Sequence, residues 1–507
     1  MPLESEKRKI LFDGIEKGCY TASNLCNGGK NMIFLYILLG LLVLLAATLL
    51  LNTWRQTRKA RKLEGQHPTF TQEELDAYGE VFARMLRCAT VSVKDSYDDT
   101  EFAKLRRVVE EDFPLLHQKA ERRLLSDDCW MYKIPGKDPS RNILLMSHHD
   151  VVPADTDWTM PAFEGIIRDG KVYGRGAADT KGSLCAILFA AEEMLREGTV
   201  PPVNLYILSS HNEELGGDGM AATLEYCREM GITFEVILDE GGAIVEPPLA
   251  GMNCEMCAMV AVHEKGRLKL KCTAQNESSH VSLTAFKGNP VERMSQFIQE
   301  ITTKNLFIRR LYPQTRGLFT SLAPYCKMPM RLLLSNLWLF GGLLTKLLPK
   351  LNATAGGMVG TTCNFQDIRG SVNSKVCTAS VMLRNINEED LKQDYAAFKA
   401  VADKYGITLE TERDEYYAPA DSGSPAYKYT FDCLAKVFPR FPAAPYILPA
   451  GTDAWRLTPV CNCVMRFAPT RMSKQQLGSI HAADENLDIS AVAEAAAFYK
   501  YFVVNYR

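Results

Sequence analysis

Along the chain, short apolar runs alternate with stretches whose apolar residues recur at helical spacing, a pattern that predicts an α/β architecture over residues 72–507. Asn142-Ile-Leu-Leu-Met-Ser147, Val203-Asn-Leu-Tyr-Ile-Leu208 and Phe234-Glu-Val-Ile-Leu238 are continuous runs of buried-strand type. Gly182 to Arg196 and Gly219 to Met230 carry helical spacing between them, so the strands should form a sheet with helices on its faces. Near residue 262 the period changes. Leu268-Lys-Leu-Lys-Cys-Thr273 alternates strictly, Asn289 to Thr303 reads as a helix, Val376 to Leu383 alternates again and Glu388 to Tyr405 reads as a second helix. This predicts an α+β insert with one sheet face toward water. From about Pro425 the first rhythm returns and ends in a long helix, Ile489 to Tyr506. One domain, residues 72–261 and 419–507, is thus split by an insert over residues 262–418. Inside the insert, residues 305–350 are rich in Leu and Phe but interrupted by Arg331, Asn336 and Gly341-Gly342. They read as core or a subunit-facing surface, with a second membrane contact as the sharper alternative.

Ahead of this lies a segment of another kind. Residues 32–51 (MIFLYILLGLLVLLAATLLL) are 20 consecutive residues without a charge, enough at about 1.5 Å per residue to cross about 30 Å of hydrocarbon. No small-residue cleavage site follows. Asn52-Thr53-Trp54-Arg55 supplies an interfacial anchor instead, which predicts a single transmembrane helix over residues 32–54 rather than a removed leader. Arg55, Arg58, Lys59, Arg61 and Lys62 follow it, and on the near side only Lys17 and Lys30 stand within about 20 residues of it, so the positive-inside count puts the large C-terminal part on the cytoplasmic side. The triplets Asn276-Glu-Ser278 and Asn352-Ala-Thr354 fit the glycosylation pattern and argue for the other side. Residues 1–31 read as a polar extension and residues 55–71 as a basic, Pro-containing linker.

Composition narrows the function classes. The 58 Lys plus Arg against 60 Asp plus Glu give a net charge of −2, so no bulk electrostatic argument points to nucleic acid. The 15 cysteines include Cys254-Glu-Met-Cys257 and Cys461-Asn-Cys463 without a second pair at zinc-knuckle spacing, and read as reduced, buried side chains.

Candidate chemistry gathers where the apolar runs end. In Ser147-His148-His149-Asp150, extended chain puts His148 and Asp150 on one face and His149 on the other. His148 is therefore the better metal ligand, with Asp150 placed to hold its second ring nitrogen or to act on the same site. Tyr173-Gly-Arg-Gly-Ala-Ala-Asp179-Thr-Lys-Gly182 is a Gly-rich turn that delivers Asp179 before a helix. It lacks the third Gly of a dinucleotide fingerprint and the Gly-Lys-Ser/Thr order of a phosphate loop, and an acid there would repel phosphate. Adjacent acids, Glu213 and Glu214, follow the second run, Asp239-Glu240-Gly-Gly242 follows the third, and His481 precedes the last helix. Two cations sharing one bridging carboxylate need roughly five protein ligands of mixed carboxylate and imidazole type. His148, Asp179, Glu214, Asp239 and His481 make that set. If Glu214 turns into the metal shell, Glu213 is left within reach of an attacking water.

At this point the chain resembles the zinc-dependent M20 metallopeptidases, and among them the carboxypeptidase S and N-acyl-amino-acid hydrolase branch. The words that carry the resemblance are Ser147-His-His-Asp-Val-Val-Pro153, Trp158 with Pro161-Ala-Phe-Glu-Gly165, Tyr173 to Gly182, His211-Asn-Glu-Glu214, Asp239-Glu-Gly-Gly242, Gly451-Thr-Asp-Ala454 and Ile480-His481, in the family's order over nearly all of residues 70–507. The resemblance implies a mixed-sheet dinuclear zinc hydrolase domain split by a ferredoxin-like lid and dimerisation domain, with two zinc ions per subunit and a homodimer. It implies that His148 and Glu214 or Asp239 hold the zinc ions, that Asp179 bridges them and that His481 completes the set. Glu213 would be the general base and Asp150 would orient His148. It further implies that His280, in Ser279-His280-Val281-Ser282 where the family has Gly-His-Ser-Ser, stabilises the oxyanion in the partner subunit's site. Asn373, followed by Ser374-Lys375-Val376 rather than the usual Pro, Arg384, Gly451 and Thr452 would contact substrate, Arg384 taking its carboxylate. The implied activity is hydrolysis of an amide next to a free carboxylate, in a small peptide or an N-acyl amino acid. A metal-binding protein of the same fold without turnover is the alternative; against it, no ligand position has been replaced.

Overall fold

Apolar runs without polar interruption settle at the centre of a sheet, where both faces are covered. In the computed structural model, which describes residues 32, 34–94, 96–154, 157–217, 219–276, 289–371 and 375–507, every residue of the Val203–Ser210 strand is buried. It lies inside a ten-stranded sheet ordered Glu121–Ser126, Cys129–Ile134, Val203–Ser210, Asp138–His148, Val236–Asp239, Val464–Arg466, Cys257–Glu264, Ile244–Val245, Arg471–Met472, with Ala443–Leu448 branching from Cys257–Glu264. Val203–Ser210, Asp138–His148, Val236–Asp239 and Val464–Arg466 are parallel, and antiparallel neighbours flank them. The register sets His148 opposite Ser210 and Asp239 opposite Arg466. The carboxyl ends of four parallel strands therefore share one edge, the place where open α/β sheets bind ligands.

The helices that cover this sheet follow the periodicity closely. Gly182–Arg196 and Ile489–Val504 pack on each other within the main core. Gly182 is required at the start of the first: a Cβ there would lie 2.6 Å from both the Ala177 carbonyl oxygen and Leu487 Cδ2. The linker ends at Thr71, whose hydroxyl accepts the Glu74 N–H while Glu74 Oε2 accepts the Thr71 N–H at 2.7 Å, a reciprocal cap that starts Gln72–Leu86. A small sheet of Ile166–Arg168, Lys171–Tyr173 and Asn486–Asp488 pairs Tyr173 with Asn486. That pairing sets the Gly-rich turn after Tyr173 beside the loop that carries His481.

Between leaving the large sheet at Glu264 and returning at Ala443, the chain builds a second sheet ordered Thr362–Arg369, Val376–Arg384, Arg267–Gln275, Ile407–Glu415, antiparallel throughout. With the helices Pro290–Thr303 and Glu388–Lys404 it forms a split β-α-β-β-α-β unit. Alternation explains its two faces. Leu268, Leu270, Cys272 and Ala274 are buried in a cluster with Phe297, Ile301, Phe398 and Ala402. Lys269 and Lys271 point the other way and pair with Glu412 at 3.1 Å and Glu410 at 3.3 Å. Leu306 and Phe307 still pack against this core, but farther on the Leu- and Phe-rich stretch leaves it: Leu318, Phe319, Leu322, Leu334, Leu337, Leu344 and Leu348 bury against Cys257, Met259 and Ala444 of the large sheet.

The Phe34–Lys59 helix is long and apolar enough to cross a membrane, and protein covers none of its apolar window. Beyond it, Arg61 Nη2 donates to the Phe441 carbonyl at 2.6 Å. None of the described cysteines is in a disulfide, and all but Cys254 and Cys363 are buried.

Phe398 is fully buried and packs edge-on to Phe297 with ring centroids 5.3 Å apart. Phe398→Ala should weaken the second sheet by about 3–5 kcal/mol. In native-state hydrogen exchange the amides of Arg267–Gln275 and Val376–Arg384 lose protection while those of Val203–Ser210 keep theirs.

Candidate metal centre

The site grows from the end of the Asp138–His148 strand. His148 is buried, and its Nδ1 lies 3.0 Å from the Asp150 carbonyl oxygen. A carbonyl can only accept, so Nδ1 carries a proton, and whenever the ring is neutral its lone pair lies on Nε2. That nitrogen faces Asp179 Oδ1 at 3.0 Å. His149 points to the opposite side, with Nδ1 2.7 Å from Ser209 Oγ and Nε2 3.6 Å from Asp128. Strand alternation thus separates the two histidines as their positions in sequence require.

Asp150 is fully buried and works as a clamp. Its Oδ1 lies 3.3 Å from His148 Nδ1 and accepts the Glu213 N–H at 3.1 Å, while Oδ2 accepts the Glu214 N–H at 3.2 Å and the Ser92 hydroxyl at 2.7 Å. One carboxylate therefore fixes both the imidazole and the turn that presents the adjacent acids. Asp179 sits between two histidines, since His481 Nε2 lies 3.1 Å from Asp179 Oδ2 and 3.2 Å from Glu214 Oε1. His148, Asp179 and Glu214 each offer a donor atom within 4.8 Å of the others.

Asp239 ends the neighbouring parallel strand, buried, with Oδ2 accepting the Ala454 N–H at 3.0 Å; it lies outside that tight three-donor group. Gly451 and Thr452 line a cleft of about 340 Å³ together with Glu213, Glu214, Asp453 and His481. Arg267 reaches across Gly451, where a Cβ would fall 1.4 Å from its Nη2 and force the guanidinium to move. Arg384 lies under this loop, its Nη2 donating to the carbonyls of Lys265 and Ala450 at 3.0 Å each. The guanidinium groups that line the cleft are those of Arg267, Arg413 and Arg456. His280 and Asn373 lie outside the described residues.

The electrostatics show what the arrangement lacks as bare protein. Burial opposes a charge on His148, but hydrogen bonds to Asp150 and Asp179 outweigh it and hold its pKa well above the ordinary imidazole value. The contacts to Asp179 and Glu214 push His481 up to about 10. Burial tends to raise Asp179, yet hydrogen bonds from His148 and His481 hold it well below the usual carboxylate range. Burial, reinforced by Asp453, Asp150 and Asp179, drives Glu213 well above its usual value, and burial beside Asp239 and Asp150 raises Asp453 to about 7. A pocket that draws protons onto both imidazoles and onto Glu213 and Asp453 is one that cations would satisfy. The donor set of two imidazoles with several carboxylates suits zinc.

Several supporting residues escaped the sequence reading. Glu485 is fully buried and receives Arg175 Nη1 at 2.8 Å and the N–H groups of Gly176, Ala178 and Asp179 at 3.0, 2.8 and 3.0 Å, which fixes the turn that carries Asp179. Lys181 pins the same turn from inside, donating to the Cys88 carbonyl at 2.6 Å; it is turned away from any phosphate role. Asp453 accepts the Ser210 hydroxyl at 2.5 Å. Asp453 and Glu485 stand within motifs already marked by their glycines and His481, whereas Ser92 carries no local signal.

His148→Ala should remove bound metal in an equilibrium dialysis or metal-analysis assay. His149→Ala should destabilise the protein and leave the metal content unchanged, because its ring faces Ser209 and Asp128. The reverse result would overturn the assignment by strand face.

The chain is similar to known proteins over most of its length. The model of peptidase family M20/M25/M40 matches residues 144–505. A probable carboxypeptidase S-like 2 of Dictyostelium discoideum is 28% identical over 504 residues, covering 94% of this chain and 96% of that protein. An N-fatty-acyl-amino acid synthase/hydrolase PM20D1 of Xenopus tropicalis is 26% identical over 484 residues, covering 92% and 93%. Among solved structures, the M20 family metallo-carboxypeptidase Sso-CP2 from Sulfolobus solfataricus superposes with a TM-score of 0.59 at 18% identity, covering 85% of this chain and 99% of that one. With most of its length matched by the family model, this chain belongs to peptidase family M20/M25/M40 and is a hydrolase.

Proposed function

We propose that the protein is a membrane-anchored, zinc-dependent hydrolase that cuts an amide bond next to a free carboxylate, in a C-terminal peptide bond or an N-acyl amino acid. The observation that carries this reading is the meeting of His148, Asp179 and Glu214 within 4.8 Å, in a cleft also lined by Glu213 and by Arg267 and Arg413. His148, Asp179, Glu214, Asp239 and His481 would hold two zinc ions, Asp179 between them. Bound zinc supplies a Lewis acid that polarises a carbonyl and acidifies water.

The chain's own groups do the rest. Glu213, its backbone fixed by Asp150, takes a proton from the attacking water and returns it to the leaving nitrogen. Asp150 keeps His148 in one tautomer. The guanidinium groups of Arg267 and Arg413, which line the cleft, receive the substrate carboxylate, with Asn373, Gly451 and Thr452 beside it, and Arg384 supports them from under the Gly451 loop through the Ala450 carbonyl. Residues 262–418 act as a lid and dimerisation domain whose His280 reaches the partner subunit's site. The Phe34–Lys59 helix tethers the catalytic part to a membrane, on the cytoplasmic side by the count of flanking Lys and Arg.

Glu213→Gln keeps the shape but cannot accept the proton, so turnover should fall on the order of 10²–10⁴-fold with bound zinc intact. Loss of metal instead would exchange the roles of Glu213 and Glu214. Mixing inactive His280→Ala with inactive Glu213→Gln should restore activity in heterodimers, where one of the two sites holds both intact residues. Exchanged but inactive subunits would exclude a donor from the partner.

The substrate class is tested by comparing small polar dipeptides with long-chain N-acyl amino acids on the full-length protein in detergent. Tethering and the Leu- and Phe-rich stretch favour the acyl substrates. Equal or better turnover of the dipeptides would overturn that preference.

A further inference from the structure

The Leu337–Leu351 helix has two apolar faces and protein covers only one. Leu337, Gly341, Leu344 and Leu348 are buried. On the other side Leu339, Leu343, Leu347 and Leu351 repeat every four residues and are 42, 48, 42 and 70% exposed, with Trp338 at 57%. The only charges on that face are Lys346 and Lys350, both exposed. Among the described residues outside the N-terminal helix, other exposed large apolar side chains are scattered along the chain, as is normal for a protein surface. Five gathered on one helix face are not.

The position of this helix says what covers it. Asn336, just before its first turn, donates through Nδ2 to the Leu49 carbonyl and the Thr53 hydroxyl at 3.2 Å each, and its Oδ1 accepts from Asn52 Nδ2 at 3.3 Å. Gln56 Nε2 donates to the Ser335 carbonyl at 3.0 Å. Leu49 lies two residues before Leu51, where the apolar run ends, about 3 Å along a helix. The Leu337–Leu351 helix therefore begins at the depth where hydrocarbon gives way to headgroups. Trp54 and Trp338 both stand near that depth, 53 and 57% exposed, as aromatic side chains do at a membrane boundary.

We propose that Leu337–Leu351 is an in-plane membrane helix whose Trp338, Leu339, Leu343, Leu347 and Leu351 enter the same leaflet from which the Phe34–Lys59 helix emerges, with Lys346 and Lys350 reaching up to the phosphates. This rests on reading Phe34–Lys59 as a membrane anchor. Two attachments instead of one hold the catalytic part in a fixed orientation on the bilayer. An N-acyl amino acid, itself partitioned into that leaflet, would meet a cleft that cannot tumble away.

The test uses the full chain reconstituted in phosphatidylcholine–phosphatidylserine vesicles, with and without bromine atoms on the phosphatidylcholine acyl chains, which quench tryptophan on contact. Trp54→Phe, Trp338→Phe and the double variant isolate the two emissions, and phenylalanine keeps the aromatic bulk at both exposed positions. Brominated lipid should quench the Trp338 emission by about the same fraction as that of Trp54. Quenching of Trp54 with Trp338 untouched overturns the in-plane helix and leaves the anchor standing. If a crosslink then joins residue 338 to a second chain, another copy covers the face. Quenching of neither removes the anchor, and this proposal with it.

Discussion

The interaction on which the site depends is the Asp179 carboxylate held between two imidazoles from opposite ends of the catalytic chain, His148 at 3.0 Å and His481 at 3.1 Å. A buried carboxylate without partners is costly by several kcal/mol, and here Glu213, Glu214, Asp239 and Asp453 crowd the same strand ends. Each additional acid raises the cost of the next. Such a cluster is stable only if every carboxylate has a fixed donor or a cation, so the surrounding fold can be understood as a frame of donors.

That frame is built from groups that do no chemistry. Glu485 takes Arg175 and three backbone N–H groups and so orders the turn before Asp179. Asp150 takes two backbone N–H groups and the Ser92 hydroxyl and so orders the Glu213–Glu214 turn. Farther out, Glu264 lies fully buried between Arg466 at 3.4 Å and Arg267 at 3.5 Å, and its Oε2 accepts the Thr452 N–H at 3.4 Å, which ties the Gly451 loop to the sheet. Buried ion pairs of this kind add little net stability but are expensive to break. They fix geometry, which is what side chains converging from five separate segments require.

The split chain follows from the same need. The large sheet gathers the strand ends, and the second sheet, inserted between Glu264 and Ala443, brings Arg267 and Arg413 to the cleft from its own strands. The helices over residues 313–351 fill the far side of the large sheet and reach the N-terminal helix through Asn336. The large sheet, the arginines that line the cleft and the helices over residues 313–351 thus belong to one connected body.

Much of this was legible in the order of residues, for a local reason. Period 2 in Leu268 to Thr273 and period 3.6 in Gly182 to Arg196 are properties of neighbouring side chains, and the strand and the helix appear where the periods place them. Strand alternation also separated His148 from His149, because successive side chains must point to opposite faces. Residues 305–350 belong to the insert by chain order, yet their buried leucines from Leu318 onward lie on the large sheet, since an apolar face packs wherever exposed strand surface remains and sequence order does not say where that is. The roles of Ser92, Arg267 and Arg413 likewise had no local signal, and that of Glu485, although it stands beside His481 in sequence, is not stated by its neighbours. Each depends on a partner far away in the chain, and only the tertiary fold, by pairing Tyr173 with Asn486 and His148 with Ser210, decides which distant groups a buried carboxylate meets.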